Sequence, residues 1–104
     1  MPGIDFQAVR AAVSMQQVLD LLHFEPTESS GDQRRGPCPV HRSKSGRTRA
    51  FSVNIAQHTY QCFKCVSEGN QLDLWANAHR LSLYSAAIDL CERLGLDVPW
   101  VHRW

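Results

Sequence analysis

Apolar positions in this chain change their spacing twice. Near the start, Phe6, Val9 and Val13 recur at helical intervals, and Val18, Leu19, Leu21 and Leu22 form a second run. The pattern predicts two short amphipathic helices broken around Val13 and Ser14. Ser14 followed three residues later by Gln17 is a capping-box pattern that places the second helix at residues 15–23, ahead of Pro26. Residues 27–32 read as a turn, flanked by extended segments near 24–27 and 33–36. Over residues 37–66 the period falls to two: Phe51, Val53 and Ile55 alternate, a turn is expected at 56–58, and a second strand at 59–63. Residues 42–49, rich in Ser, Gly and basic side chains, read as a loop. Helical spacing returns beyond Gly69, with Leu72, Trp75, Ala76 and His79 as one stripe and Leu83, Ala87, Leu90, Cys91 and Leu94 as another. Ser82 is the expected N-cap of the last helix and Gly95 its stop, with Pro99 preventing continuation.

Length and composition change this picture little. With 104 residues, 43% of them apolar and 20% charged, the chain fits one compact domain and leaves no room for a multidomain enzyme. No apolar run approaches the roughly 18 to 20 residues that cross a bilayer, and the first residues lack a secretion signal, so a cytoplasmic protein with no membrane partner is expected.

Charge changes it more. The formal net charge is only +1, yet Arg34, Arg35, Arg42, Lys44, Arg47, Arg49 and Lys64 lie between Gln33 and Ser67 without a single acid among them. A central basic patch on a chain whose flanks are acidic suggests a polyanionic partner.

The middle third has few large aliphatics and needs a staple. Cys38 and His41, then Cys62 and Cys65, are two ligand pairs, each with a two-residue gap, separated by 20 residues. Such a gap lets one tight turn aim two side chains at the same ion, and thiolate with imidazole suits tetrahedral zinc. Four protein ligands close the coordination shell and leave no position for an activated water, so the expected cofactor is one structural zinc ion. His58 is the alternative to His41; the two-residue gap from Cys38 favours His41. A redox dithiol at Cys62 and Cys65 would need a strand-to-helix setting that the pattern does not offer. Cys91 shares a helix face with Leu90 and Leu94 and reads as a buried small hydrophobe. His23, His79 and His102 are isolated.

The order of these elements, with Gly36-Pro37-Cys38-Pro39-Val40-His41, Ala50-Phe51-Ser52-Val53, Tyr60-Gln61-Cys62-Phe63-Lys64-Cys65 and then Gly69 before a helix, resembles the zinc-binding domain of bacterial and phage DnaG-type DNA primases. The resemblance runs from about Ile4 to Pro99. It departs from the family at Val40, at Arg49-Ala50 and at Gly69-Asn70, where the family usually has Phe, Pro-Ser and Gly-Asp. It implies an α+β zinc ribbon, a small antiparallel sheet flanked by N- and C-terminal helices. One domain is expected over residues 1–104, divided into N-terminal helices (1–24), ribbon (25–68) and C-terminal helices with a tail (69–104). It also implies the ligands Cys38, His41, Cys62 and Cys65, and a role in recognising single-stranded template.

The function expected is therefore a non-enzymatic, zinc-stabilised module for single-stranded nucleic acid, DNA rather than RNA. Arg34, Arg35, Arg42, Lys44, Arg47, Arg49 and Lys64 would meet phosphates, and Tyr60 and Phe63 would stack on bases. Phe51 is assigned to the core by its alternation with Val53. The alternative is a docking adaptor for a polymerase, helicase or recombinase that uses Trp100 and Trp104, with Trp75 in the core.

Overall fold

A computed structural model describes residues 3–40, 50–64 and 67–101. The break between the first helices falls where the apolar spacing places it. Helix α1 (Phe6–Ala12) is capped by Asp5, and α2 (Met15–Leu21) by Ser14 and Gln17 in a reciprocal capping box. Helix α2 ends at Leu21, not at residue 23. His23 takes a left-handed φ of 55°, its N–H bonds to the Asp20 carbonyl, and the Phe24 N–H reaches back to Leu19. These paired backward bonds satisfy carbonyls the helix end would otherwise leave open, which is how a left-handed residue terminates a helix.

Half of the expected turn at 27–32 is strand, with the turn itself at residues 31–32. Strand β2 (Glu28–Ser30) pairs with β3 (Gln33–Gly36) through a two-residue turn at Gly31 and Asp32, where Gly31 supplies the positive φ such a hairpin needs. Strands β4 (Phe51–Asn54) and β5 (Thr59–Cys62) follow, and β6 (Glu68–Asn70) completes a five-stranded antiparallel sheet in the order β2-β3-β4-β5-β6. Strand β6 has no alternation to announce it: it is three residues long and centred on a glycine.

Helix α3 (Gln71–His79) starts at once from β6, with Asn70 and Asp73 as its capping box. Helix α4 (Leu83–Leu94) runs from the Ser82 cap to a left-handed Gly95. A minimal second sheet joins β1 (Gly3–Ile4) to β7 (Trp100–Val101), closing the two ends of the chain on each other.

Opposed residues of an antiparallel sheet share a face. On one face lie Gly36, Phe51, Val53, Tyr60 and Cys62, and this face is covered. Phe51, Val53, Tyr60 and Cys62 belong to the same buried cluster as Val9 and Met15 of the first helices, Leu72, Leu74 and Trp75 of α3, and Leu90 and Cys91 of α4. The middle third therefore has more core than its composition suggests, because the helices supply it. Phe51 is fully buried, with Phe24 edge-on at 5.1 Å and Tyr60 at 5.8 Å. Gln71 is buried at the joint between α3 and α1, and its Nε2 donates to the carbonyls of Arg10 and Val13 at 2.9 and 2.8 Å. The last turn of α1 thereby gains partners inside the core.

Two stripe positions lie outside that core. His79 is exposed, its ring resting on Trp75 at 4.1 Å, and Leu83 is exposed at the first turn of α4. Trp75 itself is buried and donates Nε1–H to Asp89 at 2.8 Å, while Arg93 bonds the same carboxylate oxygen at 3.0 Å.

Candidate metal centre and nucleic-acid interface

The two cysteines that open the ligand pairs arrive at one end of the sheet. Gly36, Phe51 and Cys62 lie opposite one another across β3, β4 and β5, and Cys38 follows two residues beyond Gly36. Both cysteines are 1% exposed. Each is followed by a two-residue turn, Pro39-Val40 after Cys38 and Phe63-Lys64 after Cys62. The Phe63 N–H carries the β4–β5 pairing one step further, to the Ala50 carbonyl at 3.0 Å. The Cys62 N–H bonds the Ser67 carbonyl at 2.8 Å, pinning together the ends of the segment that contains Cys65.

His41 and Cys65 lie outside the described residues, as do Arg42, Lys44, Arg47, Arg49 and Trp104. Two buried thiols at one end of a sheet, each leading a tight turn toward a further soft or borderline donor, fit a zinc site by their chemistry. His58 does not compete for that site. It stands on the turn before β5, about 13 Å of extended chain from Cys62, and its Nδ1 accepts the Met15 N–H at 3.0 Å. A hollow of about 250 Å³ lined by Leu22, His23, Phe24, Pro37, Cys38 and Pro39 adjoins the first turn.

The predicted nucleic-acid contacts separate by strand parity. Tyr60, expected to stack on a base, is 3% exposed. It alternates with Cys62 on the covered face, where its hydroxyl lies 2.6 Å from both Ser67 Oγ and Asn77 Nδ2, which donates to it. Burial holds that phenol above its ordinary pKa, with the nearby Asp73 and Cys38 charges adding to the effect and the Ser67 and Asn77 bonds opposing it. Tyr60 is therefore a packing residue. Arg34 is also diverted: it opposes Val53 on the covered side, and its guanidinium donates to the Gly31 and Gln33 carbonyls of its own hairpin at 2.6 and 2.9 Å.

Phe63 and Lys64 are exposed and Arg35 is half-buried. Phe63 is 60% exposed, and the Arg35 guanidinium lies over its ring at 5.9 Å, within cation–π range. The Arg35 Nε is buried without a hydrogen-bond partner among the described residues. Lys64 is exposed beside Phe63.

The sequence reading missed the surface next to them. The uncovered face of the sheet carries Gln33, Arg35, Ser52, Asn54, Thr59, Gln61 and Glu68, and most of these line a shallow concavity of about 510 Å³. The signal was available, because these positions alternate with Phe51, Val53, Tyr60 and Cys62 along the same strands.

Comparison with known proteins gives a consistent result. The family model described as CHC2 zinc finger matches residues 5–103. The DNA primase of Escherichia coli (strain K12) is 33% identical over 84 residues, which cover 80% of this chain and 14% of that protein. The DNA primase of Neisseria meningitidis serogroup A is 32% identical over 86 residues, 82% of this chain and again 14% of the relative. Among solved structures, the zinc-binding and RNA polymerase domains of Aquifex aeolicus primase superpose with a TM-score of 0.73 at 23% identity. That match covers 92% of this chain and 23% of the other, and it supports the α+β fold. Among the described residues no helix is long and apolar enough to cross a membrane. The chain belongs to the CHC2 zinc-finger family of DnaG-type primases.

Proposed function

We propose that this chain is a zinc-stabilised module that binds single-stranded nucleic acid, DNA rather than RNA, on the uncovered face of its five-stranded sheet. One zinc ion would be held by Cys38, His41, Cys62 and Cys65. When bound it would supply no reaction chemistry, because four protein ligands leave no open position. The buried side of the sheet would then hold the fold, and the exposed side would meet the strand. No catalytic core is assigned to the chain, which spans 14% of the length of the two primases above.

The exposed Phe63, with the half-buried Arg35 guanidinium over its ring at the edge of a polar concave sheet face, carries this reading. An aromatic face takes any unpaired base, and a cation beside it answers the phosphate; each stacked base contributes about 1–3 kcal/mol. Lys64 adds charge next to them, and Arg42, Lys44, Arg47 and Arg49 add it from the segment that follows the first ligand pair. The test is anisotropy of a fluorescent oligothymidine against the zinc-loaded chain over a range of salt. Affinity should fall steeply as salt rises, and Phe63→Ala should weaken it by about 5- to 150-fold, the range that stacking energy implies. Salt-independent binding, or a Phe63→Ala variant that binds like the wild type, would overturn the reading.

A second reading has its own observation. Leu81, Leu83, Tyr84, Leu96 and Trp100 are exposed, and the Tyr84 and Trp100 rings lie 6.1 Å apart. A polymerase, helicase or recombinase partner could dock there. Recovery of such a partner by the wild-type chain but not by a Trp100→Ala variant would support docking; equal recovery would argue against it.

A further inference from the structure

The uncovered face has a feature that phosphate binding does not explain: a carboxylate, Glu68, on the strand next to Gln61. The two residues are direct partners across β5 and β6, so their Cβ atoms lie about 5 Å apart. Glu68 is exposed, and neither side chain has a hydrogen-bond or ion-pair partner among the described residues. The neighbouring amides differ. Asn54 Oδ1 already accepts the N–H groups of Ala56 and Gln57 at 3.0 and 2.9 Å, and Gln33 Nε2 donates to Ser52 Oγ at 3.3 Å. Gln61 thus offers an uncommitted carboxamide, and Glu68 an uncommitted pair of acceptor oxygens. Gln61 also stands two residues before Phe63, and the ladder bond from Phe63 to Ala50 keeps that stretch extended. A two-residue step along a strand is about 6.6 Å. A base stacked on Phe63 would leave its neighbour over the Gln61–Glu68 pair.

A carboxylate repels the backbone of a nucleic acid, so on such a face it needs a partner rich in donors. Among the exposed Watson–Crick edges of a single strand, guanine alone presents two adjacent donors, N1–H and the N2 amine, with an acceptor, O6, beside them. Two charge-assisted bonds to one carboxylate form a strong and geometrically demanding pair. Gln61 could then donate its amide N–H to O6. Cytosine offers one donor group, and adenine and thymine set ring or carbonyl acceptors against the carboxylate.

We infer that Glu68 and Gln61 form a base reader that selects guanine next to the base stacked on Phe63. This rests on the single-strand reading above and adds to it a base preference and the residues that set it.

The experiment compares the zinc-loaded wild-type chain with Glu68→Gln on three short fluorescent oligonucleotides: all thymidine, thymidine with one central guanine, and the same with inosine, which lacks the N2 amine. The guanine strand should bind the wild type about tenfold more tightly than the thymidine strand, the size of one good bidentate base contact. Inosine should lose most of that gain. Glu68→Gln should abolish the preference, so that the three strands bind it with equal affinity. Gln61→Ala should reduce the preference without removing it. Wild-type chain that binds all three strands equally, or a guanine preference that survives in Glu68→Gln, would overturn the base reader and leave single-strand binding standing. Loss of binding to every strand would overturn both.

Discussion

The two faces of the five-stranded sheet share every strand and differ in every task. Phe51, Val53, Tyr60 and Cys62 point into a core completed by α3 and its neighbours, while Ser52, Asn54, Gln61 and Phe63 look outward. Adjacent residues thus answer to different physics. On the covered side, burial of apolar area and satisfied polar groups set stability. On the open side, substitutions cost the fold little and change what the surface can hold.

The largest effect expected on the covered side is loss of the metal. Structural zinc sites bind with about 10–16 kcal/mol in peptides at neutral pH, comparable to the whole stability of a small domain. Cys62→Ser, or chelation of the wild type, should collapse the amide dispersion of β3, β4 and β5 in a heteronuclear correlation spectrum before that of α4. Retention of native-like strand resonances without metal would break the contrast at its base.

Gly69 comes next. Its φ of +151° suits glycine, and a Cβ there would lie 2.6 Å from the Asp73 Cβ, inside the capping box that starts α3. Gly69→Ala should lower unfolding free energy by about 1–3 kcal/mol, measured by urea titration.

Tyr60→Phe and Gln61→Ala sharpen the comparison, since the residues are neighbours. Removing the Tyr60 hydroxyl from Ser67 and Asn77 should cost about 1 kcal/mol of stability and leave single-strand affinity unchanged. Gln61→Ala should leave stability within about 0.5 kcal/mol and change binding instead. The reverse result from either variant would erase the distinction.

The smallest effect is in the pH dependence. Burial pushes the Cys91 thiol above its ordinary value of 9.0. As pH rises, the unfolded chain loses this proton first, so the contribution of Cys91 is fully present below about pH 9 and is lost above it. Cys91→Ala should flatten that part of a stability-against-pH curve recorded on the zinc-loaded chain.

Much of this division could be read from the sequence, and its failures are instructive. The capping residues Ser14 and Ser82 and the stop at Gly95 act locally, so their spacing locates them directly. The candidate ligand pairs stand out in the sequence because few chemistries use two residues between such donors, and of the four the structure describes Cys38 and Cys62. Tyr60 is an aromatic near basic residues in sequence, but its parity with Cys62 puts it on the covered face. Gln71 was beyond reach, because its partners Arg10 and Val13 lie 61 and 58 residues away and only the fold unites them. Strands β1, β6 and β7, two or three residues long, carry too few positions for a period to register.

The division of labour is tested most directly by titrating the isotope-labelled, zinc-loaded chain with a single-stranded oligonucleotide and following side-chain signals. Shifts are expected in the Gln61 and Asn54 carboxamides and the Phe63 ring, with the Tyr60 ring and the Trp75 indole unmoved. Shifts confined to Tyr84 and Trp100, with the open sheet face silent, would contradict it.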